Sequence, residues 1–368
     1  MSENPLAALK AMGQSIWLDY IERDLLEQGG LQSLIENDGV SGVTSNPSIF
    51  HQAITATGQY NDDIGVLARQ GADASQIYFN LVIADIRAAA DLLRPVYDAS
   101  NGTDGYVSLE VSPHLAHDTM ASIEQGRWLW NQVGRQNLMI KIPGTTAGLT
   151  AIEQLIFEGV NINVTLLFSV ERYTQVLEAY MLGLERRVRE RAAIDKVASV
   201  ASFFLSRIDT MVDAELEKMG VGQDLHGRAA IACAKAAYAA FESTLSGQRW
   251  QALQAAGAQA QKLLWASTST KNPAFSDILY VENLIGPQTV NTLPPKTLDA
   301  YRDHGRPAVR INDDADAWRQ SLSQIEGNGI SIANAAELLE REGLDKFSKS
   351  FDALMHSLEN ERRQLKRA

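Results

Sequence analysis

The sequence is poor in cysteine, in positive charge and in long apolar runs. Cys233 is the only cysteine among 368 residues. No intramolecular disulfide can form, so a reducing compartment is expected. Cys233 sits in an Ala-rich stretch and reads as a small buried hydrophobe. Acidic residues outnumber basic ones, 45 against 33, for a net charge of −12. That disfavours nucleic acid as a partner, because phosphate backbones are held by clustered Lys and Arg. It leaves room for a phosphorylated small molecule, which needs only one or two local cations. No segment approaches the roughly 18 consecutive apolar residues of a membrane span. The N-terminus lacks a charged segment followed by an apolar run. The expectation is a cytoplasmic protein with no membrane contact.

Several motifs are missing too. Neither G-x-G-x-x-G nor a P-loop occurs, which disfavours an open dinucleotide-binding or nucleotide-binding sheet. No G-x-S-x-G supports an esterase. His114 and His117 are three residues apart, but two histidines without a third ligand make a weak metal site. No metal and no cofactor is expected. No Pro- or Gly-rich linker invites a domain cut, so residues 1–368 are read as one unit.

What is present is an alternation of short apolar strands, each ending in polar residues, with amphipathic helices. The strands are placed at Ser15–Asp19, Gly42–Ser45, Tyr106–Val111, Leu138–Ile142, Val160–Thr165, Val197–Phe203, Lys262–Ser267 and, most weakly marked, Thr289–Thr292. Helical patterns run over Leu25–Glu36, Ala74–Tyr97, Ala116–Val133, Gly148–Glu158 and Val170–Arg191. Eight strands alternating with helices predict an α/β fold, a closed parallel (βα)8 TIM barrel. Two helical regions exceed it, Asp209–Gln259 after strand six and Ala315–Ala368 at the C-terminus. They are expected to pack on the barrel wall, where a subunit contact would make a homodimer.

Barrel chemistry sits at the C-terminal ends of the strands. The polar residues there are Asp19, Asn46, Glu110, Lys141, Asn163, Thr165 and Ser202, with Arg207 just beyond strand six. Lys141 interrupts the apolar run Leu138-Met139-Ile140-Lys141-Ile142-Pro143. Strand side chains alternate, so if Leu138 and Ile140 face the helices, Lys141 points into the barrel. Taking an amine out of water favours its neutral, nucleophilic form, ready to attack a carbonyl. The competing reading is a structural ion pair of Lys141 with Glu110 or Asp19. Schiff-base chemistry also needs proton carriers, and Asp19 and Glu110 both close apolar runs.

At these residues the sequence resembles the transaldolase family. Gly42-Val43-Thr44-Ser45-Asn46-Pro47-Ser48-Ile49-Phe50 matches the family's Thr-Ser-Asn-Pro motif. Met139-Ile140-Lys141-Ile142-Pro143-Gly144-Thr145, continuing to Gly148-Leu149, matches its active-site lysine motif. Supporting matches are Trp17-Leu18-Asp19, Ser108-Leu109-Glu110-Val111-Ser112-Pro113, Asn161-Ile162-Asn163-Val164-Thr165-Leu166 and Ala201-Ser202-Phe203-Phe204.

The resemblance implies a metal-free enzyme that moves a dihydroxyacetone unit between sugar phosphates. Lys141 would form the Schiff base. Glu110, with Thr165, would activate the water of imine formation. Asp19 would carry the hydroxyl proton. Asn46 and Asn163 would hold the dihydroxyacetone moiety, and Ser202 and Arg207 the phosphate. For Arg207 a surface ion pair with Asp209 is the competing reading. Shorter family members carry Ala-Ser-Phe-Arg-Asn at the end of strand seven. Here Ala266-Ser267-Thr268-Ser269-Thr270-Lys271 stands instead, as in the longer branch. Ser267 is expected to keep its role, and Lys271 or Ser269 to supply the second contact. Rival readings are a fructose 6-phosphate aldolase and a non-catalytic sugar-phosphate-binding barrel. The aldolase typically has Gln at the position of Glu110 and Tyr at that of Phe204. An apolar Phe204 keeps water from the intermediate and favours transfer.

Overall fold

The computed structural model describes residues 4–56 and 58–365. Eight parallel strands close into a barrel in chain order. They are β1 (Gln14–Leu18), β2 (Val40–Thr44), β3 (Tyr106–Glu110), β4 (Leu138–Pro143), β5 (Ile162–Leu167), β6 (Ser199–Phe204), β7 (Lys262–Ala266) and β8 (Thr289–Leu293). All eight expected strands are present, and β1 closes on β8 from Gln14↔Thr289 to Leu18↔Leu293. Nearly every strand residue is buried. Outward side chains meet helices and inward ones fill the barrel, so parallel strands read as continuous apolar runs. A polar residue within one is therefore informative.

Two helical expectations are corrected. Leu25–Glu36 is not one helix. It splits into Arg23–Glu27 and Gly30–Asp38 at Gly29, whose φ of +77° breaks the helical path. The stretch from Ala116 is not helical throughout. A 3-10 turn covers Pro113–Leu115, and the helix begins at Thr119, capped by the Asp118 carboxylate on Ala121 N–H. His114 and His117 therefore do not share a helix face; His114 pairs with Asp352 instead (2.7 Å). Helices Pro47–Ala56, Asn61–Arg69 and Pro295–His304 were not foreseen. Among the described residues no helix is long and apolar enough to cross a membrane. Cys233 is buried, as expected.

The region after strand six holds helices Ser206–Met219, Ala229–Leu245 and Gln248–Ala255. The C-terminal region holds Ala315–Gly327 and Ile332–Leu365; residues 366–368 lie outside the described part. The last helix departs from expectation. It does not merely thicken the wall, but contacts helices Pro47–Ala56, Ala74–Ala99 and Ser206–Met219 as well as β5. Those elements surround the C-terminal end of the barrel, so the helix crosses its mouth. Its own Leu344, Phe347, Phe351, Leu354 and Leu358 are buried against the barrel and its helices.

Candidate active site

The motif at the end of β2 builds one side of the site. Asn46 Oδ1 accepts Ile49 N–H (3.0 Å), and Pro47 opens the following helix. This is an ordinary N-cap followed by proline, which has no N–H to leave unpaired. Ser45 gives its hydroxyl to Ser108 O (2.8 Å). Its own carbonyl is thereby held over the barrel, where it accepts Lys141 Nζ–H (2.8 Å).

The lysine motif is built as locally. Thr145 Oγ caps helix Thr146–Glu158 by accepting Gly148 N–H (3.0 Å). A Cβ on Gly148 would stand 2.0 Å from Pro143 O, and one on Gly144 2.4 Å from Leu167 Cδ2. The two glycines let β4 turn sharply into its helix directly after the lysine.

Lys141 points inward, as its alternation predicts. Nζ lies 3.2 Å from Glu110 Oε2, and both side chains are about 95% buried. The register pairs Glu110 with Lys141 and Lys141 with Asn163 across β3, β4 and β5. Burial pushes the Glu110 carboxyl above the usual carboxylate range, with the Lys141 ammonium pulling it back. Glu110 Oε1 is buried without a hydrogen-bond partner among the described residues, and so is Thr165 Oγ1. Buried polar atoms are rarely left so. The Phe347 ring centroid lies 6.0 Å from Nζ.

Asp19 follows β1, its N–H bonded to Leu293 O (2.8 Å). Burial raises its carboxyl, while the Thr44 hydroxyl bond (2.7 Å), Lys141 and Lys271 lower it. Thr44 in turn meets Thr292 (2.6 Å). Below Asp19 lies the Trp17 indole, bonded to Asp104 (2.9 Å). A Cβ on Gly42 would come within 2.5 Å of that ring, so only glycine lets the indole cross β2 there.

One cavity collects most of the expected residues: Asp19, Asn46, Lys141, Thr165, Ser202, Phe204, Arg207, Ser267 and Lys271. Glu110 and Asn163 do not line it. Glu110 sits beneath Lys141. Asn163 is fully buried with both amide atoms occupied, donating to Ser108 Oγ (3.0 Å) and accepting from Ser202 Oγ (2.6 Å). In this arrangement Asn163 does not line the cavity and is held by Ser108 and Ser202. Ser202 lines the cavity, but its hydroxyl proton orients Asn163.

At the other end, Arg207 belongs to helix Ser206–Met219, one residue from its start, and not to a loop. It does not pair with Asp209. That carboxylate is buried, bonded to Ala230 N–H (2.7 Å) and Tyr280 OH (2.8 Å). Arg207 instead stacks toward Phe204 (5.7 Å), whose ring packs on Phe168 (5.4 Å). Burial lowers its pKa and Glu342 works against that. Ser267 takes a φ of +55°. This turn lets Ser267 O accept Ser206 N–H (3.2 Å) and sets the two hydroxyls 2.8 Å apart. Lys271 is exposed and donates to Ser269 Oγ (2.6 Å). Lys346 and Phe347 from the last helix also line the cavity. Neither was foreseen. The available signal was Gly343, a glycine inside a long helical pattern, which usually marks a close approach.

The sequence profile of the Transaldolase/Fructose-6-phosphate aldolase family matches residues 16–358. The chain belongs to this family of barrel enzymes. It is 48% identical to Transaldolase 2 of a Nostoc species over 98% of both chains. It is 48% identical to a transaldolase of Thiobacillus denitrificans over 94% of this chain and 96% of the relative. For a transaldolase of Mycolicibacterium smegmatis the identity is 46% over 98% of both. Its function is that of a transaldolase.

Proposed function

We propose that the protein works through a Schiff base on Lys141. It would move a dihydroxyacetone unit reversibly from sedoheptulose 7-phosphate to glyceraldehyde 3-phosphate, giving erythrose 4-phosphate and fructose 6-phosphate. This is a step of the non-oxidative pentose phosphate pathway. The observation that carries the reading is one buried amine held between Glu110 and the Ser45 carbonyl, facing a cavity that Asp19 shares.

Lys141 Nζ must shed a proton before it attacks the ketose carbonyl, and Glu110 is the acceptor 3.2 Å away. The carbinolamine then loses hydroxide as water, taking a proton from Glu110. The unpaired Glu110 Oε1 and Thr165 Oγ1 suit that water, since each lacks another partner. Asp19 removes the proton from the hydroxyl beyond the scissile bond. That hydroxyl carbon becomes the carbonyl of the departing aldehyde. The electron pair of the broken carbon–carbon bond passes into the iminium, leaving a neutral enamine. Addition to the acceptor aldehyde reverses these steps. Asn46 keeps its amide NH2 for the bound unit, its oxygen being used in the cap. Asn163 holds the floor through Ser108 and Ser202. Phe204 and Phe347 keep water from the enamine while it waits. Arg207, Ser267 and Lys271 take the phosphate; a guanidinium grips two phosphate oxygens at once. Residues 1–368 are taken as one barrel unit, because helix Ile332–Leu365 packs back on β5.

The test is incubation with fructose 6-phosphate and borohydride, followed by mass spectrometry. A reduced three-carbon or ketose adduct on Lys141 is expected; folded protein without it would sink the Schiff-base reading. Omitting the acceptor aldehyde separates transfer from lysis. Little free dihydroxyacetone should appear, whereas its rapid release would favour the aldolase reading.

A further inference from the structure

Three cations meet at one end of the cavity: Arg207, Lys271 and Lys346. None has a carboxylate ion-pair partner among the described residues. Arg207 stands at the start of helix Ser206–Met219, Lys271 beyond β7, and Lys346 on helix Ile332–Leu365. They come from three separate elements and converge on the same space beside Ser267. Partial desolvation at the cavity rim comes first in lowering the Lys271 pKa, the charges of Lys346 and Arg207 lower it further, and Asp19 works against them. Three positive charges against the single Asp19 carboxylate in the cavity lining leave an excess of positive charge, which suits a ligand that brings negative charge.

We propose that Lys346 is a direct ligand of the substrate phosphate. This rests on the reading given under Proposed function. The last helix is held where this requires. A Cβ on Gly343 would stand 2.8 Å from Leu166 Cδ2 and 3.3 Å from Arg207 Nη1, so glycine lets the helix approach β5 and Arg207 closely. Ser350 Oγ meets Ser48 Oγ (2.8 Å) about two turns later. Between these anchors, buried Phe347 sets the rotation of the helix and leaves Lys346 at the cavity edge. One helical turn thus presents a cation to the phosphate end and an aromatic ring to Lys141. A lysine supplies a point charge and not a fork, so phosphate binding here is shared among three cations.

The experiment compares Lys346→Ala, Lys346→Arg and Lys349→Ala. Lys349 lies on the same helix, exposed and paired with Asp345, and serves as the control for charge. Lys346→Ala should raise KM for fructose 6-phosphate about tenfold, roughly 1.4 kcal/mol of binding, with kcat changed far less. Inorganic phosphate, titrated by calorimetry, should bind correspondingly more weakly. Lys346→Arg should recover most of both, and Lys349→Ala should move neither. Borohydride trapping of free dihydroxyacetone on Lys141 needs no phosphate and should be the same in all variants. The proposal is overturned if Lys346→Ala weakens phosphate binding no more than Lys349→Ala does. It is equally overturned if trapping of dihydroxyacetone falls in proportion, since that is the mark of a structural role. The phosphate titration is independent of turnover. If wild-type protein traps no ketose on Lys141, the Schiff-base reading fails, and the titration still decides the role of Lys346.

Discussion

Gly343 lies against Arg207 so closely that a methyl group at 343 would stand 3.3 Å from the guanidinium. The helix carrying Gly343 therefore limits where Arg207 can point. Gly343→Ala gains helix propensity, about 1 kcal/mol, and its closest clash is with the movable end of Leu166. Stability should change little. Gly343→Leu cannot be so accommodated and should push the helix away from β5. We expect KM for fructose 6-phosphate to rise only slightly in the first variant and about tenfold or more in the second. Steady-state kinetics on both, with the phosphorylated ketose, would check this.

Lys141→Ala should abolish turnover while circular dichroism stays unchanged. The variant leaves Glu110 buried without its cation. Its carboxyl, already raised by burial, can take up a proton and so limit the loss. A lowered Tm with an intact spectrum is expected. Substantial remaining activity would contradict the proposed chemistry.

Asp19→Asn separates two steps. Imine formation is assigned to Lys141 and Glu110, so borohydride should still trap the ketose on Lys141. Carbon–carbon cleavage needs the Asp19 base, so kcat should fall on the order of 10²–10⁴-fold. Loss of trapping together with turnover would instead place Asp19 in imine formation. In the wild type, burial raises the Asp19 carboxyl, so activity should begin to fall at a pH above the ordinary carboxylate range as the medium is acidified.

Asp209 gives a stability prediction away from the chemistry. Burial pushes its carboxyl up to about 7, despite bonds from Ala230 N–H and Tyr280 OH. In the unfolded chain it titrates near about 4. The folded state holds the proton over that interval, so its contribution is full below about pH 4 and is lost as pH rises through about 7. Asp209→Asn is neutral throughout and its oxygen can still accept from Ala230. The Tm of this variant relative to wild type should rise between pH 5 and pH 8, by about 2 °C or more. Calorimetry at the two pH values would show it; a constant difference would mean that Asp209 does not titrate there.

The order and number of strands were legible because each strand is short, apolar and buried on both faces, and that pattern is local. Lys141 was legible for the same reason: one charge in an apolar strand stands out, and alternation sets its direction. The caps at Asn46 and Thr145, with Gly144 and Gly148 beside them, are likewise properties of a few consecutive residues. Other features depend on contacts far apart in the chain. That Asn163 is tied to Ser108 and Ser202 follows from side-chain bonds reaching β3 and β6, which periodicity does not encode. The break at Gly29 shows a single backbone angle ending a periodic pattern that looked continuous.

By itself, then, the sequence determined the barrel, the inward lysine and the carboxylates at strand ends, because those rest on interactions within a strand or one turn. Only the tertiary structure decided which cations reach the far end of the cavity. Lys346 lies 75 positions beyond Lys271 in the chain (346 minus 271), on a helix whose pattern reads as an ordinary amphipathic surface. It meets Arg207 and Lys271 because the last helix crosses the barrel mouth on Gly343, and that approach is set by packing between elements and not by any local spacing.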